Sequence, residues 1–322
     1  MAANVTYQDA LEFQRVWDKC CGDFEKVSQD TGFTVRSVHN RRRSVEKMLG
    51  ITLPSKTYFF TSNFPTYETI RYDHDDDYLI LIGSDKHNLP GHTPQAFKAF
   101  LHLVEGIKPD YVVLNGDLFD FPQISRHHRI GWAERPDLVE ELQAGISCLK
   151  EIHELSPKSK RIFHFGNHDM RFNGWLSNCS PELEGIHGTA LEDHFPDGWK
   201  IGMSSVFNET LIVKHRWHSG VHSGYNDVLR GGKNIATGHD HKLSVRPWTD
   251  YGGIRYGIKT GTLSDLWDDS FAYLENNSVD WQPGCVVITV SKNLIFPVAC
   301  PIVIDRTHKH WGKLNYQGKW YG

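Results

Sequence analysis

Apolar residues recur at helical spacing near the start of the chain, with Leu11, Phe13, Val16 and Trp17 in a first segment and Val35, Val38, Val45, Met48 and Leu49 in a third. Three short helices are expected over residues 1–50. From Thr52 to Asp76 the pattern breaks into Pro54, Pro65, scattered aromatics and the acidic run Asp73, Asp75, Asp76 and Asp77 around His74. That stretch reads as a solvated linker rather than a metal site. Beyond it, strand-like apolar runs alternate with helical patterns. Residues 78–83 form a first predicted strand, and Thr93-Pro94 then caps a helix whose apolar face is Phe97, Phe100, Leu101, Val104 and Ile107. Residues 111–114 and 161–165 are further strands on either side of a helix carrying Leu138, Leu142, Ile146, Leu149 and Ile152, and 210–214 and 234–237 follow. Such alternation predicts βαβ units and a largely parallel sheet. From Gly253 the helical period disappears, and strands such as 285–290 predict a mostly β C-terminal part. The expected division is a helical domain over 1–52, a linker over 53–76 and an α/β domain over 77–322.

Composition narrows the class. A chain of 322 residues has room for about two domains. With 39% hydrophobic and 23% charged residues it can build a core and is not wholly disordered. The longest apolar stretches, 78–82, 285–290 and 296–304, fall far short of the roughly 18 residues that span a bilayer, so no membrane partner is expected. The N-terminus lacks the basic and apolar regions of a signal peptide, which gives a cytoplasmic expectation. Cys20, Cys21, Cys148, Cys179, Cys285 and Cys300 contain no Cys-x-x-Cys pair and suggest neither a zinc ribbon nor a disulfide framework. A net charge of −4 argues against a chain that coats nucleic acid through overall basicity, although residues 1–56 carry nine Lys/Arg against seven Asp/Glu. Histidine is the outlier: there are 19, and neutral imidazole is the commonest metal ligand.

Polar residues of one kind follow each predicted strand. The first runs into Asp85-Lys86-His87, the second into Gly116-Asp117-Leu118-Phe119-Asp120 and the third into Gly166-Asn167-His168-Asp169. The fourth ends at His215, and the fifth enters Gly238-His239-Asp240-His241. Ligands of open α/β sheets bind outside the carboxyl ends of strands, so these five loops are expected to converge on one sheet edge. Mixed carboxylate, amide and imidazole donors suit Mn²⁺, Fe or Zn²⁺ better than Mg²⁺.

These segments, in this order, resemble the calcineurin-like metallophosphoesterase family, whose pattern reads DxH, GDxxD, GNHD, H and GHxH. The resemblance covers about residues 78–245 and implies a layered β-sandwich flanked by helices. It implies one metal on Asp85, His87, Asp117 and His241 and a second on Asp117, Asn167, His215 and His239, with the Asp117 carboxylate shared between them. Two divalent ions are expected, Mn²⁺ foremost, with Fe and Zn²⁺ as alternatives. His168 is implied as the acid that protonates the leaving oxygen, and Asp120 as its hydrogen-bonded support. The family usually has His-Gly at the fourth segment, whereas this chain has Lys214-His215-Arg216-Trp217-His218. His215 is preferred to His218 and His222 because it directly follows Leu211-Ile212-Val213. Arg126, His127, His128 and Arg171 adjoin the motifs and are candidates either for phosphate contacts or for ordinary surface roles.

Residues 24–38 resemble a helix-turn-helix, with Gly32 in the turn, Val27 and Val38 packing the helices and Phe33 as an apolar plug. The helix that follows carries Arg36, Arg41, Arg42, Arg43 and Lys47, a basic excess suited to DNA phosphates. The layout resembles phage and bacterial metallophosphoesterases of DNA exonuclease type. The function expected is two-metal hydrolysis of phosphodiesters in DNA, with DNA as the partner and protein partners left open. Two alternatives stay open: a phosphomonoesterase whose N-terminal helices serve assembly, and a DNA-binding regulator with a vestigial catalytic domain, which would require a missing ligand.

Overall fold

The computed structural model is described over residues 6–20, 22–51, 53, 69–126, 135–266, 271, 279–305 and 311–322. It divides into two compact units, Met1–Thr66 and Tyr67–Gly322.

The first unit holds α1 (Tyr7–Lys19), α2 (Phe24–Thr31) and α3 (Val35–Leu49), the three helices expected. Each starts on a side-chain cap: Thr6 accepts from Asp9 N, Asp23 from the amides of Glu25 and Lys26, and Thr34 from Ser37 N. Gly32 closes α2 at φ 72°, where a side chain would be strained. Ala10, Phe13, Trp17, Val27, Val38, Val45 and Leu53 make its core.

The second unit begins with β1 (Ile70–Tyr72), β2 (Tyr78–Gly83), α4 (Gln95–Ile107), β3 (Tyr111–Asn115), α5 (Leu138–Leu155) and β4 (Lys160–His164). Next come α6 (Met170–Cys179), β5 (Trp199–Gly202), β6 (Ser204–Phe207), β7 (Leu211–Lys214), α7 (Ser223–Gly231) and β8 (Asn234–Thr237). The named elements that follow among the described residues are strands: β9 (Leu243–Asp250), β10 (Gly253–Thr260), β11 (Gly284–Ser291), β12 (Leu294–Pro301), β13 (Val303–Ile304), β14 (Gly312–Tyr316) and β15 (Lys319–Tyr321). Two six-stranded sheets result, ordered β12-β11-β2-β3-β4-β5 and β1-β6-β7-β8-β10-β9, beside a small sheet of β13, β14 and β15.

The expectation of a largely parallel sheet is corrected to two mixed sheets. Strands β2 to β5 are parallel and continue into antiparallel β11 and β12, while parallel β7, β8 and β10 are bordered by antiparallel β6 and β9. Strands covered on both faces must be apolar throughout, and β3 is buried at every position. One core lies between the sheets, with Ile80, Ile82, Val113 and Ile162 from the first against Val213, Ala236 and Ile258 from the second. The other lies under α4 and α5, where Phe97, Phe100, Leu149 and Ile152 meet Leu81, Val112 and Phe163.

Two local expectations change. Ile70–Tyr72, within the stretch read as linker, pairs in parallel with β6. Pro94 caps α4 without a side-chain bond, and the carboxylate of Asp265, far along the chain, accepts from the amides of Gln95 and Ala96 in place of Thr93.

Candidate metal centre and catalytic residues

Every motif residue sits at or just past the carboxyl end of a strand. Asp85 and His87 follow β2, Asp117 and Asp120 follow β3, Asn167 and His168 follow β4, His215 follows β7, and His239 and His241 follow β8. The expected single sheet edge becomes the paired edges of two sheets, because β2, β3 and β4 belong to one and β7 and β8 to the other. Asp85, His87 and His241 form one group, and Asp117, His215 and His239 a second, with donor atoms in each within 4.8 Å of one another.

These atoms face each other at close range, and some of them lack a partner. Nε2 of His87 lies 3.2 Å from Nε2 of His241, which is 3.3 Å from Asp85 Oδ1. His215 Nε2 is 3.2 Å from Asp117 Oδ2 yet has no hydrogen-bond partner, and Asn167 Oδ1 is buried without one. An orphaned buried polar atom costs about 1–3 kcal/mol. Lone pairs gathered this way fit divalent cations. His215 donates from Nδ1 to the Asn115 carbonyl at 2.7 Å, which orients the ring with Nε2 toward Asp117. Burial works against charge on His215, but the carboxylates of Asp117 and Asp85 push its pKa to about 10, so this end of the site draws positive charge. Burial, with the charge of His215, pulls His239 down to about 4 and keeps it in the neutral form, the one able to ligate a cation.

The backbone is forced here as well. Asp85, His87, Asp117, His239 and His241 all have positive φ, between 46° and 72°. Non-glycine residues avoid that region, at a cost of about 1 kcal/mol or more each, and persist there only where the surroundings impose it. The motif glycines are there for space: a Cβ on Gly166 would lie 2.1 Å from Asp117 Oδ1, and one on Gly238 2.6 Å from Asp85 Oδ2.

The profile of the calcineurin-like phosphoesterase family matches residues 78–287, which takes in all five motifs. The chain belongs to that family. Members of the calcineurin-like phosphoesterases use a dinuclear divalent metal site. This phosphoesterase is 26% identical over 248 residues to the Gene 54 protein of Mycobacterium phage L5, a match over 70% of this chain and 94% of that one. With the Gene 54 protein of Mycobacterium phage D29 it shares 27% over 253 residues, again 70% and 94%. Among solved structures it is similar to Yfce, a phosphoesterase from E. coli, at 14% identity and TM-score 0.33 over 69% of this chain and 98% of that one. It is also similar to the Pseudomonas putida nuclease MPE, at 11% and 0.29 over 68% and 87%.

Beside these two groups of side chains in the phosphoesterase, Asp120 Oδ1 meets Nδ1 of His168 in a short hydrogen bond and lies 3.4 Å from Nδ1 of His87. Burial disfavours a charged His168, but the bond to Asp120 and the charges of Asp117 and Asp120 outweigh it and raise the pKa of the ring. Burial likewise opposes charge on Asp120, and its bonds to His168 and His87 hold it far below the usual carboxylate range. His218, the rejected alternative, gives Nδ1 to Asp227 at 2.8 Å, and neither it nor His222 joins a metal-type cluster among the described residues. Arg171 reaches both Asp120 and His168, Arg126 is exposed, and His127 and His128 lie outside the described residues.

Three supports escaped the sequence reading. Buried Asp169 accepts from the amides of Gly166 at 2.7 Å, Asp117 at 2.8 Å and Phe119 at 3.0 Å, tying two motif loops together. Buried Glu141, on α5, accepts from the amides of Asp120 and Phe121 at 2.7 Å each. Asp240, between the two loop histidines, pairs at 3.2 Å with buried Lys259, which also reaches Asp227 at 3.2 Å. Asp169 was visible as the last letter of its motif; Glu141 and Lys259 carry no sequence signal.

In the helical unit the basic residues of α3 divide. Arg42 bonds Glu46 at 3.0 Å and lies over the rings of Trp17 and Phe24, so it belongs to the fold. Arg36, Arg43 and Lys47 are exposed. Phe33 is not the expected plug: its ring is exposed and Arg41 lies over it at 4.8 Å. Among the described residues no helix is long and apolar enough to cross a membrane.

Proposed function

We propose that this chain hydrolyses phosphodiester bonds in DNA, with Asp85, His87, Asp117 and His241 holding one divalent ion and Asp117, Asn167, His215 and His239 a second. Mn²⁺ is the ion expected to serve. The observation that carries the reading is the meeting of the two donor groups beside the Asp120–His168 pair. When bound, two such cations supply positive charge to the phosphoryl oxygens and lower the pKa of water. The chain's own residues do the rest. Asp117, with one oxygen near His215 and the other accepting from His168 N at 2.8 Å, stands between the metal donors and the acid. His168, its cationic form favoured by Asp120, gives the Nε2 proton to the leaving oxygen. Asp120 fixes the ring through Nδ1, and Glu141 and Asp169 hold the loops that carry Asp120 and Asp117.

The preference for DNA rests on the helical unit. Arg36, Asn40, Arg43 and Lys47 recur at helical spacing along exposed positions of α3, the arrangement a helix needs to meet duplex phosphates and base edges. In this reading residues 1–52 bind DNA and residues 77–322 cleave it. Metal-dependent turnover of bis(p-nitrophenyl) phosphate, p-nitrophenyl phosphate and labelled DNA should be compared. Preference for the diester and DNA supports the reading, whereas turnover of the monoester alone replaces it with a phosphomonoesterase whose helices serve assembly.

A further inference from the structure

Arg171 lies in the first turn of α6, just past the loop that carries Asn167 and His168, and its guanidinium turns back to the reaction centre. One edge is anchored: Nη1 donates to the backbone carbonyl of Asp120 and lies 3.5 Å from Asp120 Oδ1. The other edge places Nη2 at 3.3 Å from His168 Nε2, the nitrogen from which a proton leaves. The side chain still keeps 19% of its surface exposed. Arginine donates only, so in this arrangement Nε2 accepts from Nη2 while Nδ1 shares its proton with Asp120. At that separation, an oxygen that comes within reach of Nε2 comes within reach of Nη2 as well. The ester oxygen that Nε2 protonates is the acceptor that substrate brings to that spot.

We propose that Arg171 is a catalytic residue of this centre, its Nη2 donating to the leaving ester oxygen alongside His168 Nε2. The proposal rests on the hydrolytic reading above, and not on the choice between DNA and other phosphoesters. In the step, the oxygen of water bonds to phosphorus and the bond from phosphorus to the leaving oxygen breaks. Its electron pair stays on that oxygen, which takes the Nε2 proton, and the proton lost by water passes to solvent. Arg171 transfers no proton. As the breaking bond lengthens, negative charge grows on the leaving oxygen, and a charge-assisted hydrogen bond there strengthens between ground and transition state.

A double-mutant cycle at saturating Mn²⁺ tests this in the full chain, with a thymidine dinucleotide as the poor-leaving-group substrate and bis(p-nitrophenyl) phosphate as the good one. Arg171→Met should lower kcat on the dinucleotide by about tenfold or more and on the nitrophenyl diester by less than about threefold, with metal content unchanged. A residue that merely orients His168 loses its effect once His168 is gone. Arg171→Met placed in the His168→Ala background should therefore still cost about tenfold on the dinucleotide; no further loss there overturns the proposal. If the Met variant folds poorly, Arg171→Lys in the same background, which keeps charge but not the double anchor, is read the same way. If the wild type cleaves only monoesters, the DNA reading has failed, and the same cycle on phenyl phosphate against p-nitrophenyl phosphate still decides the role of Arg171.

Discussion

Replacing Glu141 with Gln separates charge from hydrogen bonding beneath Asp120. Glu141 is fully buried; its Oε1 accepts from two amides at 2.7 Å each, and its Oε2 has no partner. Burial dominates, outweighing the amide bonds, and raises the carboxyl pKa from 4.5 to about 7. Below about pH 4.5 the group is neutral in folded and unfolded chains alike and adds no pH dependence. As pH rises from there to about 7 the unfolded chain ionises first, so stability falls; above about 7 both forms are charged and the loss is constant. At about 1.4 kcal/mol for each tenfold change in proton affinity, the full loss is about 3 kcal/mol. Gln keeps the acceptor and never ionises. E141Q should match wild type at low pH and exceed its stability by about 2–3 kcal/mol near pH 8. Urea unfolding followed by tryptophan fluorescence measures this, with a chelator present so that metal uptake adds no pH dependence of its own. Parallel stability curves for the two proteins between pH 5 and 8 would refute the reasoning, because the carboxylate would then ionise at no cost.

The remaining predictions concern the site and the helices. Asp117→Asn should lower both metal content and turnover, measured by elemental analysis and diester hydrolysis; loss of one ion alone counts against the shared carboxylate. His215→Ala should deplete mainly the second ion while His218→Ala leaves metal content intact, because His218 is paired with Asp227. His168→Ala should retain its metals and lose far more activity on DNA than on bis(p-nitrophenyl) phosphate, in steady-state kinetics, and equal losses would point to a positioning role. Neutralising Arg36 and Arg43 together should raise KM for duplex DNA and flatten its salt dependence without changing turnover of the nitrophenyl diester, whereas Arg42→Gln should reduce stability through its lost contacts to Glu46, Trp17 and Phe24.

The parts of the site that could be read from sequence are those written locally. Asp85, Asp117, His168 and His241 fall in short motifs behind apolar strands, and a strand end places its next residues on the sheet's carboxyl edge wherever the strand sits. The same logic favoured His215 over His218, and His215 is the one held against Asp117. What stayed hidden depends on long-range pairing. That β7 and β8 lie in a different sheet from β2, β3 and β4 is set by which strand hydrogen-bonds to which, and apolar runs buried on both faces look alike in either sheet. Glu141, Lys259 and Asp265 act on partners far off in sequence, Asp265 on an amide 170 residues away. The strand Ile70–Tyr72 is three residues long and half-buried, too short for a period to register.

Because the donor groups straddle the two sheets, cations held as proposed would do more than chemistry. The first set joins Asp85, His87 and Asp117 of one sheet to His241 of the other, and the second joins Asp117 and Asn167 to His215 and His239. Each ion is then a rivet through the sandwich, and its binding energy is spent in part on clamping the layers and on holding five left-handed backbone positions. Stripping the ions should loosen the sandwich first at this rim, and amide exchange should quicken at the carboxyl ends of β2, β3, β7 and β8 before it does at the opposite ends. On this account the loss of a metal ligand would cost stability at the rim as well as turnover, whereas loss of His168 would cost turnover alone.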